Sequence, residues 1–158
     1  PDVFSQGAWK YVQEHLRILS GFYGVLKPLD GVTPYRLEMQ AKAGAGGAKD
    51  LYDFWKDKLY KEVRGDGEII INLASKEYSK CIEKYLTEND RYITCIFGER
   101  KEGKIVQKGT KAKMARGEMV RFLAENQIEE PEGIKAFSRL GYQYQEELSS
   151  YEEYVFLL

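Results

Sequence analysis

Apolar residues along this chain switch between helical and strand spacing. Trp9, Val12, Leu16 and Leu19 recur at three- to four-residue intervals and predict a helix over 8–19. The pattern then becomes nearly continuous over 18–26, broken only by Ser20, Gly21 and Gly24, which predicts a strand or tight crossing. Pro28-Leu29-Asp30-Gly31 supplies a bend. Pro34 forces Thr33 into an extended conformation, so 35–39 leaves the bend extended. Residues 41–48, AKAGAGGA, read as a flexible loop. Lys49 stands where the third glycine of G-x-G-x-x-G belongs, and no GK[ST] ending follows. Asp50 is placed to cap a helix running to Val63, with Leu51, Phe54, Trp55, Leu59 and Val63 on one face and Gly65-Asp66-Gly67 as its stop.

The second half alternates the same two signals. Residues 69–73, IIINL, are almost wholly apolar and β-branched, which predicts a strand buried on both faces. Ser75 is placed to cap a helix carrying Tyr78, Ile82 and Tyr85. A strand over 91–97 and a second over 105–107, with a turn at 101–104, predict a hairpin. A helix is expected over 111–126, a short one over 132–137 from Pro131, and strands over 142–149 and 153–158. Strands and helices mix without regular βαβ repetition, so the predicted class is α+β: a mixed β-sheet with surrounding helices in a single domain over 1–158.

Composition narrows the function. A chain of 158 residues, 43% hydrophobic and 31% charged, is globular. No apolar run reaches the ~18 residues of a membrane span, and no membrane partner is expected. Cys81 and Cys95 are too few for a disulfide framework, and a reducing, cytoplasmic setting is expected. The start at Pro1-Asp2, without Met, predicts a piece of a longer protein. The net charge of −1 hides segregation. Residues 100–121 carry eight basic side chains against Glu102 and Glu118, and 122–158 carry eight glutamates against Lys135 and Arg139. A +6 stretch followed by a −6 stretch generates a local positive field that the sum conceals.

The helix over 111–126 is the first candidate for chemistry. Ala112, Ala115, Met119, Phe122 and Leu123 form its apolar face, while Lys113, Gly117 and Arg121 lie opposite at i, i+4 and i+8. Lys111 and Lys113 fall in the first turn, where the helix dipole is already positive. They are unfavourable there by a few tenths of a kcal/mol unless an anion sits nearby. Gly117 costs about 1 kcal/mol against Ala, and removes a side chain that would hold a phosphate away. A solvated basic face, paired with the acidic tail, is the alternative. The pairs Glu129-Glu130, Glu146-Glu147 and Glu152-Glu153 are adjacent in sequence and poorly placed for acid–base catalysis. His15 is alone, and no H-E-x-x-H, Cys/His cluster or C-x-x-C supports a metal or cofactor. Asn72, Ser75 and Lys76 follow the predicted strand at 69–73, a position that often lines ligand crevices; a helix cap and a surface lysine are the alternative.

Several segments resemble one family. Residues 15–30 (HLRILSGFYGVLKPLD), 34–39 (PYRLEM), 51–55 (LYDFW), 72–78 (NLASKEY), 115–117 (ARG) and 121–122 (RF) are similar, in order, to the YaaA-type peroxide-stress proteins, as are 137–142 (FSRLGY) more loosely. Members of that family are longer at the amino end. The resemblance implies a cytoplasmic bacterial protein of the hydrogen-peroxide response that limits iron-linked damage. It also implies an unusual α+β fold whose basic cleft binds DNA, duplex or branched, with little sequence specificity. Arg17, Lys27, Arg36, Lys76, Lys111, Lys113, Arg116 and Arg121 are the basic residues within or beside these segments, and the cleft is expected to use them. Gly21 and Gly24 have G-x-x-G spacing, not the G-x-G of a helix-hairpin-helix, so that motif is not assigned. An enzyme acting on a nucleotide-like or phosphorylated small molecule, with Ser75, Asn72 or Glu38 near the reacting group, is the alternative. Iron held directly finds no ligand spacing here.

Overall fold

The computed structural model describes residues 4–44, 46–67 and 69–158. Ala45, within the predicted glycine-rich loop, lies outside them. The chain divides into two compact units. One contains residues up to His15, then Ile71–Leu73 and Tyr92–Leu158; the other contains Leu16–Ile70 and Ala74–Arg91.

In the first unit a mixed sheet carries the core. Strand β4 (Arg91–Lys101) lies parallel to β7 (Glu153–Leu157), with Cys95 opposite Tyr154 and Phe97 opposite Phe156. Strand β6 (Gln143–Tyr144) runs antiparallel to β7, and β3 (Ile69–Asn72) lies beside β4 at the sheet edge. Helices with a mixed parallel and antiparallel sheet make an α+β fold, as the sequence predicts. Ile93, Cys95 and Phe97 alternate along β4 and are buried. The Phe97 ring stacks on Phe156 at 5.3 Å and meets Phe137 and Tyr142 edge-on at 5.8 and 5.5 Å. Each such ring contributes roughly 1.5–3 kcal/mol by leaving water.

Strand β7 is buried at Tyr154, Val155, Phe156 and Leu157, so it is the strand covered on both faces. The sequence assigned that role to 69–73. Instead Ile69 is exposed, because β3 takes an edge position.

Helix α5 (Gly109–Asn126) packs Ala112, Ala115, Met119 and Ala124 inward. Gln127, at φ 50° and ψ 49°, ends it in the left-handed region, and Ile128 N–H donates back to Leu123 O at 3.1 Å. Helix α1 (Gln6–His15) lies against α5, and the Tyr11 hydroxyl donates to Ile128 O. Strand β5 (Lys104–Val106) returns antiparallel to β4 through Glu102-Gly103. Both turn residues have positive φ, at 49° and 76°, as a two-residue hairpin with right-handed strand twist requires. Helix α6 (Pro131–Ile134) places Pro131 in its first turn, as expected, but is shorter than predicted. The strand expected over 142–149 shrinks to β6, followed by a 3-10 turn at Glu146–Leu148.

In the second unit β1 (Ile18–Ser20) pairs antiparallel with β2 (Gly24–Leu26). The helix predicted over 8–19 therefore stops at His15, because the hairpin recruits the residues from Ile18 onward. The single helix predicted over 51–63 is broken into α2 (Leu51–Trp55) and α3 (Lys58–Arg64) by Lys56, at φ 50° and ψ −130°. Its caps are as expected: Asp50 Oδ1 accepts from Asp53 N–H at 2.8 Å, and Gly65 terminates α3 at φ 51°. Helix α4 (Lys76–Glu83) buries Ser79, Cys81 and Ile82 and contacts α3. Beside them the Asp90 carboxylate, fully buried, accepts from Tyr60 Oη and Arg64 Nε at 2.7 Å, and from the Thr87 amide at 2.7 Å and hydroxyl at 2.8 Å.

Candidate functional site

Gly21 and Gly24, in the family-like segment 15–30, answer to packing. The Trp55 indole N–H donates to Gly21 O at 3.0 Å. A Cβ on Gly21 would stand 2.9 Å from Leu37 O, and one on Gly24, at φ 83°, would stand 2.9 Å from the Trp55 ring. The Ser20 hydroxyl accepts from the Phe22 and Tyr23 amides at 3.2 and 2.9 Å and bonds to the Tyr35 hydroxyl. Tyr23 Oη accepts from Thr33 N–H at 2.9 Å. Tyr52 Oη donates to Glu77 O at 2.9 Å, and Glu77 Oε1 accepts from Gln40 N–H at 3.2 Å. Segments 20–40, 51–55 and 74–78 are thus tied into one body within the second unit. Their unusual sequence builds a rigid scaffold.

The eight predicted cations divide four and four between the units. In the second unit, Arg17 is half-buried just before β1, and its Nη1 donates to Leu16 O at 3.0 Å. Lys27 ends the hairpin. Its backbone N–H donates to Asp30 Oδ2 at 2.8 Å and Asp30 N–H returns to Lys27 O at 3.1 Å, which closes the bend and leaves the ammonium in solvent. Arg36 is exposed on the extended segment. Neither the Lys27 ammonium nor the Arg36 guanidinium has an ion-pair partner among the described residues. Lys76, at the start of α4, is bound 2.7 Å from Glu83 Oε2, whose other oxygen accepts from Ser79 Oγ at 2.8 Å.

In the first unit the four lie on α5. Lys111 Nζ is 2.6 Å from Glu99 Oε1, and Lys108 Nζ is 2.8 Å from Glu99 Oε2. Arg121 Nε is 2.6 Å from Glu125 Oε1, four residues on. Arg139 bonds to the other Glu125 oxygen and lies 3.2 Å from Glu118 Oε2. Lys113 is exposed, with no ion-pair partner among the described residues. Arg116 is half-buried; its Nε is out of contact with solvent and has no hydrogen-bond partner among the described residues. Burial pulls its guanidinium pKa down, although an arginine stays charged. Gly117 meets nothing within 4 Å of an added Cβ, so packing does not explain it.

The sequence left two readings of the basic start of α5, a bound anion or a solvated basic face; the structure places a carboxylate of the chain itself there. No acidic residue lies in the first turn and no side chain caps it. The Glu99 carboxylate, delivered by β4, fills the role. Hydrogen bonds from Lys108 and Lys111 hold its pKa down to about 2. The partners of the basic stretch are Glu99, on β4, and Glu125, which belongs to the acidic segment 122–158 that the alternative reading invoked. Glu99 was not singled out from sequence. The available signal was its place two residues after buried Phe97, on the same face of a strand whose hairpin leads back to Lys108.

Asn72 is buried and donates to Thr94 Oγ1 at 3.2 Å, inside the first unit; Ser75 occupies the N-cap position of α4 without a side-chain cap bond. Burial pushes the Cys81 thiol up to about 11 and the Cys95 thiol up to about 12. Both are therefore protonated at neutral pH and poor nucleophiles toward peroxide. Among the described residues, no group of three or more His, Cys, Asp or Glu side chains is arranged to hold a metal ion, and no helix is long and apolar enough to cross a membrane.

The family model described as peroxide stress protein YaaA matches residues 1–148. A UPF0246 protein of Agathobacter rectalis is 65% identical over 99% of this chain and 63% of its own length. UPF0246 proteins of Lachnoclostridium phytofermentans and Limosilactobacillus reuteri are 58% and 56% identical, over 99% and 100% of this chain and 62% and 64% of their own lengths. The chain thus spans less than two thirds of the relatives it matches.

Proposed function

Because this chain belongs to the peroxide stress protein YaaA family, we propose that it binds DNA in the cellular response to hydrogen peroxide. It does so in the cytoplasm, as part of a longer protein, and limits iron-linked oxidative damage. Contact is with phosphates and carries little sequence preference. The observation that supports this reading is the set of cations left without carboxylates. Lys27, Arg36 and Lys113 are exposed and unmatched among the described residues, and half-buried Arg116 has no hydrogen bond at Nε. Such groups meet a polyanion without first giving up an internal partner. Each unit contributes its own cations to the proposed binding: Arg17 and Lys76 in one, Lys111 and Arg121 in the other, the last three through the outer side of an existing ion pair.

The test is fluorescence anisotropy on mixed-sequence duplex and four-way-junction DNA across salt concentrations. Lys27→Ala with Arg36→Ala should weaken binding equally for all sequences and flatten the slope of log K against log salt by about 1.8, at ~0.9 per phosphate lost. An unchanged slope removes both side chains from the interface.

A further inference from the structure

The start of α5 is an unfavourable place for two lysines. Unpaired amides and the positive end of the dipole already lie there. Lys108 occupies the N-cap position without a capping side chain, and Lys111 sits in the first turn. One carboxylate offsets all of this. Glu99 reaches Lys111 with one oxygen and Lys108 with the other, at 2.6 and 2.8 Å. The β4–β5 hairpin fixes the arrangement. Glu99 pairs in register with Val106, so the returning strand brings Lys108 back to the strand it left. The Glu99 side chain is 25% exposed while those of the two lysines are 57% and 52% exposed. The lysines therefore face solvent on their outer side and carry the carboxylate on their inner side. Lys113, two residues on, has no such partner among the described residues.

We propose that Glu99 is an internal competitor for phosphate: it occupies the anion position at the start of α5, holds Lys108 and Lys111 away from DNA, and so restrains the binding that the rest of the surface supports. This rests on the DNA-binding reading and specifies its regulation. Engaging both lysines requires a phosphate to take the place of the carboxylate, which returns to water. Acidification within the cellular range does not release the contact, because a carboxyl held near pKa 2 stays ionised. Only a competing anion, or loss of the Glu99 charge, does so.

The experiment compares the chain as it stands with Glu99→Gln, with Lys113→Ala/Arg121→Ala, and with Glu99→Gln/Lys108→Ala/Lys111→Ala, by anisotropy on mixed-sequence duplex DNA across salt. Glu99→Gln should bind at least about fivefold more tightly at low salt. Its log K–log salt slope should steepen by roughly one to two, the yield of one or two freed lysines at ~0.9 each. The triple variant should lose that gain. Should Glu99→Gln fail to fold, Glu99→Asp serves instead: one methylene shorter, it cannot bridge both lysines and gives an intermediate gain. Unchanged or weaker binding by a folded Glu99→Gln, or a gain that survives in the triple variant, overturns the inference. The two readings fail differently. If Lys113→Ala/Arg121→Ala weakens binding while Glu99→Gln leaves it unchanged, only the restraint is lost. If neither the parent chain nor Glu99→Gln binds at low salt, both are lost. Binding by Glu99→Gln alone would show a complete restraint.

Discussion

The segment around the β1–β2 hairpin and the helix α5 both place basic residues at the surface, and they treat those residues in opposite ways. Around the hairpin the backbone is locked and the cations are loose: glycines fit under Trp55, hydroxyls of Ser20 and Tyr23 hold amides, and Lys27 and Arg36 stand in solvent without carboxylates. On α5 the backbone is an ordinary helix and two of the four cations are matched, Lys111 by Glu99 and Arg121 by Glu125, with Lys113 and Arg116 left over. A count of basic residues ranks α5 first. Pairing evens the two regions, because a lysine bridged to a carboxylate adds little to the field that a phosphate meets.

The largest expected effect breaks the hairpin side. Gly24→Ala sets a Cβ at φ 83°, 2.9 Å from the Trp55 ring, where neither the backbone nor the indole, which donates to Gly21 O, has room to move. A loss of about 2–4 kcal/mol in urea unfolding is expected, combining left-handed strain with overpacking. A loss below ~1 kcal/mol would show that the motif glycines are not structural. Asp90→Asn comes next, at about 2–3 kcal/mol, because it takes the charge from a buried acceptor of four hydrogen bonds. Burial alone would raise the Asp90 pKa, but hydrogen bonds from Thr87, Tyr60 and Arg64 outweigh it and hold the carboxyl far below its usual range. A depressed folded pKa gives stability that is present above the unfolded value near 4 and is lost as pH falls below it. Parent and Asp90→Asn unfolding midpoints should therefore converge between about pH 4 and pH 2, and parallel curves would contradict the assignment.

These outcomes bear on how much could be read in advance. The α+β class, the cap at Asp50, the stop at Gly65, the β4–β5 hairpin and nearly the whole of α5 follow from local chemistry, since each rests on a few neighbouring residues. The break at Lys56 does not. Nothing in its sequence marks a left-handed position, and it falls directly after Trp55, whose indole is bound to Gly21 thirty-four positions earlier. Tertiary contact overrode propensity there. Likewise Leu16 and Leu19 keep helical spacing, but Leu19 pairs with Val25 in a sheet. The basic candidates were legible as residue types. The Arg121–Glu125 pair, four residues apart on one helix, was open to the same local reading, but the neutralisation of Lys111 was not, because Glu99 reaches it across a strand and a turn.

A smaller effect sharpens the comparison at the level of binding. Lys27→Ala should cost more DNA affinity than Lys76→Ala in the same unit, by about threefold at low salt, because the Lys76 ammonium already rests on Glu83. Anisotropy titrations on one duplex read the ratio. Equal losses would mean that carboxylate pairing does not decide which cations meet phosphate, and the contrast between the two regions would lose its physical basis.

The smallest effect separates stability from function on α5. Gly117 lies inside the helix with open space around a would-be Cβ, so Gly117→Ala should stabilise the fold by up to about 1 kcal/mol. That is the opposite sign from Gly24→Ala, although both replace a glycine in a segment of the family resemblance. Thermal unfolding reads the gain as a midpoint a few degrees higher. Binding reads the other half. A methyl group between Lys113 and Arg121, one turn from each, holds a phosphodiester away from the helix backbone, so the stabilised variant should bind duplex DNA more weakly. Stability gained with affinity unchanged would place the DNA off this face of α5 and leave Lys113 as a solvated lysine. Stability lost would mean that Gly117 is packed in a way the open space around it contradicts. Only a gain in one measurement and a loss in the other keeps Gly117 as a place where the helix gives up stability for close approach.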